Sequence, residues 1–251
     1  MTAQRRLLLA VYTPALTGND GRTLAAVRGM ELALSGLRLE WKVSKEGHLV
    51  ALPDRDAWLA EAATRGKFPL LCNGDESYPV TIAGLKMPAS HAPGGQALFD
   101  IHADLPLDVA VIEAAANVLV NVAEGARAHW GRATPDRAAL EIAEQIAPTL
   151  GGPPSPPRGL PALNCFEQSR SPELPYCLGW LNYWSAAAAL AIGFPDPARD
   201  AELLSRARRT ASGGWVVQLT DAPLDLDNPA HLDALKRAYQ RFPGIGGRPA
   251  P

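Results

Sequence analysis

The segment Tyr176-Cys-Leu-Gly-Trp-Leu-Asn-Tyr-Trp-Ser185 concentrates aromatic side chains in a chain of 251 residues that is only 6% aromatic. An alanine-rich helix signal, residues 186–192, follows it directly. Tyrosine and tryptophan bury large areas but still need a polar partner for the ring O–H or N–H. The segment is therefore expected to be either the centre of the hydrophobic core or a recognition surface. It matches no catalytic motif.

Both interpretations can be assigned to particular residues. Leu178 and Trp180 are typical of core, and Gly179 allows another backbone to approach closely. Asn182, Tyr183 and Trp184 have the composition of an interface anchor if they reach the surface. Trp184 fits either role.

The segments before and after this one alternate between strand and helix signals. Residues 6–13 and 68–72 are apolar enough for buried strands, and residues 37–43 alternate apolar with polar side chains, which predicts a half-buried strand. Residues 78–85 and 97–103 continue the series with short connections, which favour antiparallel pairing. A further strand is predicted at residues 215–219.

Helix signals occupy the intervening segments. Asp54 predicts the cap of a helix that Gly66 ends. A long helix is predicted over residues 107–130, and Thr134 with Pro135 predicts the start of another. Later helices are expected at residues 198–208 and after Asn228-Pro229.

The order of these elements predicts one α+β protein with a mixed, largely antiparallel sheet flanked by helices. The Gly- and Pro-rich residues 151–159 are expected to act as a stiff linker. Two sequential lobes, residues 1–150 and 160–251, would then form one compact unit.

Composition restricts the partners and the compartment. The formal net charge is −2, which gives no electrostatic case for nucleic acid. No run of about 18 apolar residues is seen, so no membrane span is expected. Three cysteines form neither a C-x-x-C pair nor an even set, which favours reduced thiols and a cytoplasmic location.

Asp100, His102 and Asp104 occupy alternate positions of a predicted strand, so their side chains share one face. Two carboxylates and an imidazole could bind a divalent metal and support hydrolysis. The stronger interpretation is that they form the solvated face, opposite buried neighbours. We therefore expect no metal, no cofactor and no catalytic residue, and keep a metal-dependent hydrolase as the alternative.

An acidic cluster lies near the C-terminus. Asp221, Asp225 and Asp227 surround Pro223, but the leucines between them and the missing glycine and glutamate exclude an EF-hand loop. Carboxylates in this pattern could instead face a basic partner surface. Helix capping and solvation explain some of them equally well.

Several motifs together resemble one bacterial family. Leu178-Gly-Trp-Leu-Asn-Tyr-Trp-Ser185 and Gly193-Phe-Pro-Asp-Pro197 carry the likeness in the second half. Thr13-Pro-Ala-Leu16, Leu70-Leu-Cys-Asn-Gly-Asp75 and Gly214-Trp-Val-Val217 extend it over nearly the full length. The chain resembles domain-of-unknown-function family 5953, and its layout is similar to the immunity protein 52 family, where a Gly-Trp-x-x-Tyr-like segment also appears in the second half.

The resemblance implies a function. Proteins of that immunity class are encoded beside polymorphic toxins, often nucleases, and neutralise them by binding. The implied protein is a non-enzymatic immunity protein that occludes the active site of a cognate toxin, with Asn182, Tyr183, Trp184, Asp221, Asp225 and Asp227 as contact candidates. A non-catalytic ligand-binding or scaffold module is the other alternative.

Overall fold

A computed structural model describes residues 5–18, 21–146 and 156–248. Ten strands and seven α-helices are found there: β1 Arg6–Pro14, α1 Arg22–Ala33, β2 Trp41–Val43, β3 Leu49–Ala51, α2 Arg55–Thr64, β4 Phe68–Cys72, β5 Thr81–Met87, β6 Leu98–Pro106, α3 Val109–Ala126, β7 Trp130–Pro135, α4 Asp136–Ala143, β8 Leu181–Trp184, α5 Ala186–Ile192, α6 Ala201–Ser205, β9 Ala207–Arg209, β10 Trp215–Gln218 and α7 Pro229–Arg241.

All ten strands belong to one sheet, in the order β3-β2-β4-β5-β6-β1-β7-β8-β10-β9. Every pairing between neighbours in the described residues is antiparallel. The predicted α+β class with a largely antiparallel sheet is confirmed.

The two predicted lobes share this sheet. Seven strands precede the predicted linker and three follow it, and β7 pairs directly with β8. Residues 151–155 of the linker lie outside the described residues. Pro157–Gly159 forms a short 3-10 turn.

The helices form two layers, one on each face of the sheet. On one face α3 packs beside α1, and the α3 residue Ala116 lines a cleft with Leu181 and Val216 of the sheet. On the other face Phe242, which follows the last residue of α7, packs against Trp184 of β8. The centroids of the two rings lie 5.4 Å apart. The strands near the middle of the sheet are therefore covered on both faces.

The α3 helix differs from expectation in two respects. It ends at Ala126 because Arg127 adopts a left-handed conformation (φ 53°), and the chain then enters β7 at Trp130 instead of continuing as helix. Its 18 residues have a mean hydropathy of 1.4, so by length and composition α3 could span a membrane, contrary to our reading of the sequence. A core helix passes the same test, and seven α3 residues are buried.

Three smaller predictions also need correction. The strand expected over residues 37–43 comprises only Trp41–Val43. Thr134 lies inside β7 and does not cap α4. The helix expected over residues 198–208 is confined to Ala201–Ser205, and β9 follows it at the sheet edge. The caps at Asp54 and Asn228 are confirmed by side-chain hydrogen bonds.

Candidate partner-binding surface

The aromatic segment is core. The exposed fractions of Asn182, Tyr183 and Trp184 are 1%, 2% and 0%. The prediction that these three residues could serve as surface anchors is therefore wrong. The reason is the position of β8 between β7 and β10, where α3 covers one face and α7 the other.

Local contacts explain how this buried strand satisfies its polar groups. The Asn182 side chain accepts a hydrogen bond from the Gly179 N–H at 2.9 Å and donates to the Gly179 carbonyl at 3.0 Å. A Cβ on Gly179 would lie 2.3 Å from Thr134 Oγ1 and 3.2 Å from the Ala133 carbonyl oxygen, so the predicted close approach of another backbone is confirmed. Trp184 packs edge to face against Phe194, with centroids 5.1 Å apart. These contacts stabilise the fold, and they bury the three residues that were expected to contact a partner.

The acidic cluster is on the surface, where the sequence placed it. Asp221 and Asp225 are exposed, and the side chain of Asp221 is 88% accessible. The intervening Leu224 and Leu226 are only 2% and 3% exposed. The leucines that interrupt the acidic pattern therefore anchor the loop to the core, and the carboxylates between them point outward.

Asp227 has a different role from its neighbours. Its carboxylate receives Arg158 Nη2 at 2.7 Å and Arg137 Nη2 at 2.6 Å. The hydrogen bond from Arg158 is the main reason why the pKa of Asp227 lies below its ordinary value. Arg158 also pairs with Glu141, so it links the acidic loop to α4. Asp227 thus holds the loop in place, and Asp221 and Asp225 present charge.

The Asp100, His102 and Asp104 trio divides into two separate pairs. Asp100 Oδ2 lies 2.8 Å from His102 Nε2, whereas Asp104 Oδ1 accepts a 2.7 Å hydrogen bond from Arg6 Nε. Asp100 is 8% exposed, so the expectation of a wholly solvated face is wrong. No group of three metal-ligating side chains in the described ranges could hold a metal ion, which removes the ligand set of the alternative hydrolase.

Asp100 is buried because it faces a polar cluster that the sequence did not reveal. Tyr12 lies opposite Asp100 on β1, and Arg132 of β7 lies on the same face. Burial alone would lower the pKa of Arg132, but Cys177, Tyr12 and Asp100 outweigh it and raise the pKa. Arg132 is half-buried, and its guanidinium keeps its positive charge there. Residues 100 and 132 are 32 positions apart, so no local pattern links them.

A half-open cavity of about 620 Å³ lies between the end of α1, the β4–β5 connection and the start of α3. Its lining residues are Ala33, Leu34, Ser35, Gly36, Leu37, Asn73, Asp75, Tyr78, Val80, Ala110, Glu113 and Ala114. The lining is mainly apolar, and its two charged side chains, Asp75 and Glu113, are both acidic. No local sequence pattern indicates this cavity, because its three walls are far apart along the chain.

The cavity and the acidic loop lie at the same end of the sheet. The antiparallel registers place the start of β5, the end of β6 and the end of β10 together at that end. Five strand spacings of about 4.8 Å separate β5 from β10, or ~24 Å across the sheet. The cavity lies on the α1 and α3 side of this sheet end, and the acidic loop lies beside α7.

The chain belongs to a family of unknown function. A family model described as "Domain of unknown function (DUF5953)" matches residues 18–250. The predicted membership is confirmed. No curated protein matches the chain.

A solved structure shows the same fold. The chain is similar to the T6SS protein PA0821 of Pseudomonas aeruginosa, with a TM-score of 0.57 and 15% sequence identity. The similarity covers 95% of this chain and 73% of that protein. At this identity the likeness shows the architecture alone.

Proposed function

We propose that this protein is a cytoplasmic, non-enzymatic immunity protein that binds a cognate bacterial toxin and occludes its active site. The observation that carries the proposal is the acidic loop, in which Asp221 and Asp225 are exposed on a backbone anchored by Leu224 and Leu226. A rigid loop with outward carboxylates suits a basic partner surface, such as the substrate-binding face of a nuclease.

Two likenesses favour this proposal. The similar structure is a T6SS protein, which is compatible with a toxin-related role. The similarity in layout to the immunity protein 52 family, seen in the sequence, favours neutralisation by binding. The burial of the aromatic segment moves the proposed contact surface from residues 182–184 to the sheet end that carries the acidic loop.

The first experiment is affinity capture from the native host, read together with the genes that flank this one. Recovery of a stoichiometric toxin-domain protein encoded next to this chain, and protection of cells that express that toxin, would establish the proposal. A neighbourhood of metabolic genes and no protection would refute it.

Charge variants then test the loop. The double variant Asp221→Asn/Asp225→Asn should weaken toxin binding and protection without loss of stability. Its matched control is Glu61→Gln on α2, where an exposed carboxylate pairs with Arg65 at 2.6 Å. Equal binding by both variants would exclude the acidic loop as the contact surface.

A further inference from the structure

We infer that the cavity between α1, the β4–β5 connection and α3 receives a lysine or arginine side chain of the partner protein. This inference rests on the proposed function, since it names the chemistry by which the partner would be recognised. It concerns residues outside the acidic loop, and of these only Asn73 and Asp75 belong to a motif quoted above, Leu70–Asp75.

The first argument is the shape and polarity of the walls. Leu34 and Leu37 line one side, Val80 another, and Ala110 and Ala114 the third. Long basic side chains bury an apolar stem and keep a charged end near polar groups. A cavity with apolar walls and acidic groups matches that division, and its volume of about 620 Å³ accommodates such a side chain with the adjoining backbone.

The second argument is the sign of the charge. Asp75 and Glu113 line the cavity, and no lysine, arginine or histidine of the described chain does so. Hydrogen bonds from Ser77 lower the pKa of Asp75, so this carboxylate stays ionised at neutral pH. The C-terminal end of α1 and the N-terminal end of α3 both meet the cavity, so the negative end of one helix dipole is offset by the positive end of the other. The two carboxylates therefore set the sign of the charge, and they favour a cation.

The third argument is that the walls are held in place. The Tyr78 hydroxyl donates to Asp108 Oδ2 at 2.6 Å, and Asp108 Oδ1 caps α3 by accepting from the Val111 N–H at 2.9 Å. The Asn73 side chain bonds the Tyr78 carbonyl at 2.8 Å and the Val80 N–H at 3.1 Å. A rigid cavity loses little conformational entropy when a side chain enters it.

The neutral state of the Tyr78 hydroxyl also suits a cavity that binds a cation. Burial and the hydrogen bond to Asp108 raise the pKa of Tyr78 to about 12. The hydroxyl therefore keeps its proton at neutral pH and donates it to Asp108. Its oxygen can accept a hydrogen bond from an ammonium or guanidinium group in the cavity.

The test uses a probe, so that it does not depend on finding the partner. Isotope-labelled protein is titrated at low salt with butylguanidinium, which carries an apolar stem and a cation, and with butylurea, its uncharged analogue. Butylguanidinium should shift the backbone amide signals of Ala110, Glu113 and Tyr78 at millimolar concentrations. Glu113→Gln should weaken this binding about two- to fivefold, the effect of removing one partly exposed ion pair.

The matched control is again Glu61→Gln, which should bind the probe like the natural protein. Butylurea binding as tight as that of butylguanidinium, or no shift at the cavity, would overturn the inference.

The partner experiment separates failure of the inference from failure of the proposed function. With the captured toxin, Glu113→Arg should weaken binding because it places a positive charge where a cation is expected. If Asp221→Asn/Asp225→Asn weakens toxin binding and Glu113→Arg does not, the immunity function stands and the cavity inference is wrong. If no toxin is captured and no cell is protected, the immunity function fails, and the cavity is not a toxin-binding site.

Discussion

Asp200 and Arg241 form a buried, two-point ion pair that joins the start of α6 to the end of α7. Asp200 Oδ1 lies 2.6 Å from Arg241 Nε, and Oδ2 lies 3.0 Å from Nη2. The Asp200 side chain is inaccessible to solvent, and its Oδ2 also accepts the Asp196 N–H at 2.7 Å. The C-terminal helices are thereby fixed to each other beside the sheet.

Replacing Asp200→Asn should destabilise the protein by about 3 kcal/mol, because it leaves the mostly buried Arg241 charge without a counter-ion. Urea unfolding at neutral pH measures the difference. Glu61→Gln, which breaks the exposed pair with Arg65, should cost only ~0.5 kcal/mol. Similar losses of unfolding free energy for both variants would show that burial of the Asp200–Arg241 pair adds nothing to stability.

Trp184 is the residue for which the structure most changes the expected result. Because it is fully buried against Phe194 and Phe242, Trp184→Ala should destabilise the protein by about 4 kcal/mol. Loss of toxin binding would then follow from unfolding. Thermal unfolding, with binding assayed on the folded fraction, distinguishes binding lost through unfolding from binding lost through a missing direct contact.

The control for Trp184 is Trp58→Ala on α2, a half-buried tryptophan that stacks with Lys42. It should cost about 1–2 kcal/mol, in proportion to the smaller area lost. A folded Trp184→Ala variant with selectively weakened binding would instead restore the surface interpretation of this segment.

The sequence predicted most elements whose signals are local. Apolar runs located β1 and β4, a strand was predicted where β10 lies, and the Asp54 and Asn228 caps located the starts of α2 and α7. The start of β7 was missed because α3 ends at Arg127, a left-handed residue that is not glycine, so the usual stop signal is absent.

The site was less predictable than the fold. Trp184 is covered by Phe242, which comes more than 50 residues later, so no local pattern could reveal this contact. The acidic loop could be predicted because its alternation of leucine and aspartate is local. The cavity has walls from three distant segments, and only the folded chain brings them together.

The crossing of α1 and α3 depends on two glycines. A Cβ on Gly29 would lie 2.6 Å from the Asn121 carbonyl oxygen, and one on Gly125 would lie 2.7 Å from the Ala25 carbonyl. Because both obstacles are backbone, the helices must separate to admit a methyl group. Gly125→Ala should therefore cost about 2 kcal/mol despite the better helix propensity of alanine.

Gly244 provides the matched control for this substitution. It has helical dihedral angles (φ −70°), and nothing lies within 4 Å of a Cβ placed on it. Gly244→Ala should be neutral or stabilise by about 0.5 kcal/mol. Denaturant midpoints of the two variants provide the comparison. A Gly125→Ala protein as stable as Gly244→Ala would show that α1 and α3 can separate without cost.

The network around Asp227 should make the protein sensitive to acid. The pKa of Asp227 is lowered, first by the hydrogen bond from Arg158, so its folded value lies below the unfolded value of about 4. Its contribution to stability is therefore fully present above that unfolded pKa and is lost as the pH falls through the folded pKa. Asp227→Asn removes the contribution at every pH.

Asp227→Asn should accordingly be less stable than the natural protein at pH 7, and the difference should shrink as the pH falls below the unfolded pKa of about 4 and the natural carboxylate becomes protonated. Urea unfolding at pH 7 and at a series of lower pH values measures the effect. Asp221→Asn removes the same charge from a side chain that is 88% accessible and 3.7 Å from Arg206, so it controls for net charge. A stability difference for Asp227→Asn that stays constant or grows in acid would show that the Arg158 contact does not stabilise the ionised carboxylate. The acidic loop would then owe its position to Leu224 and Leu226 alone.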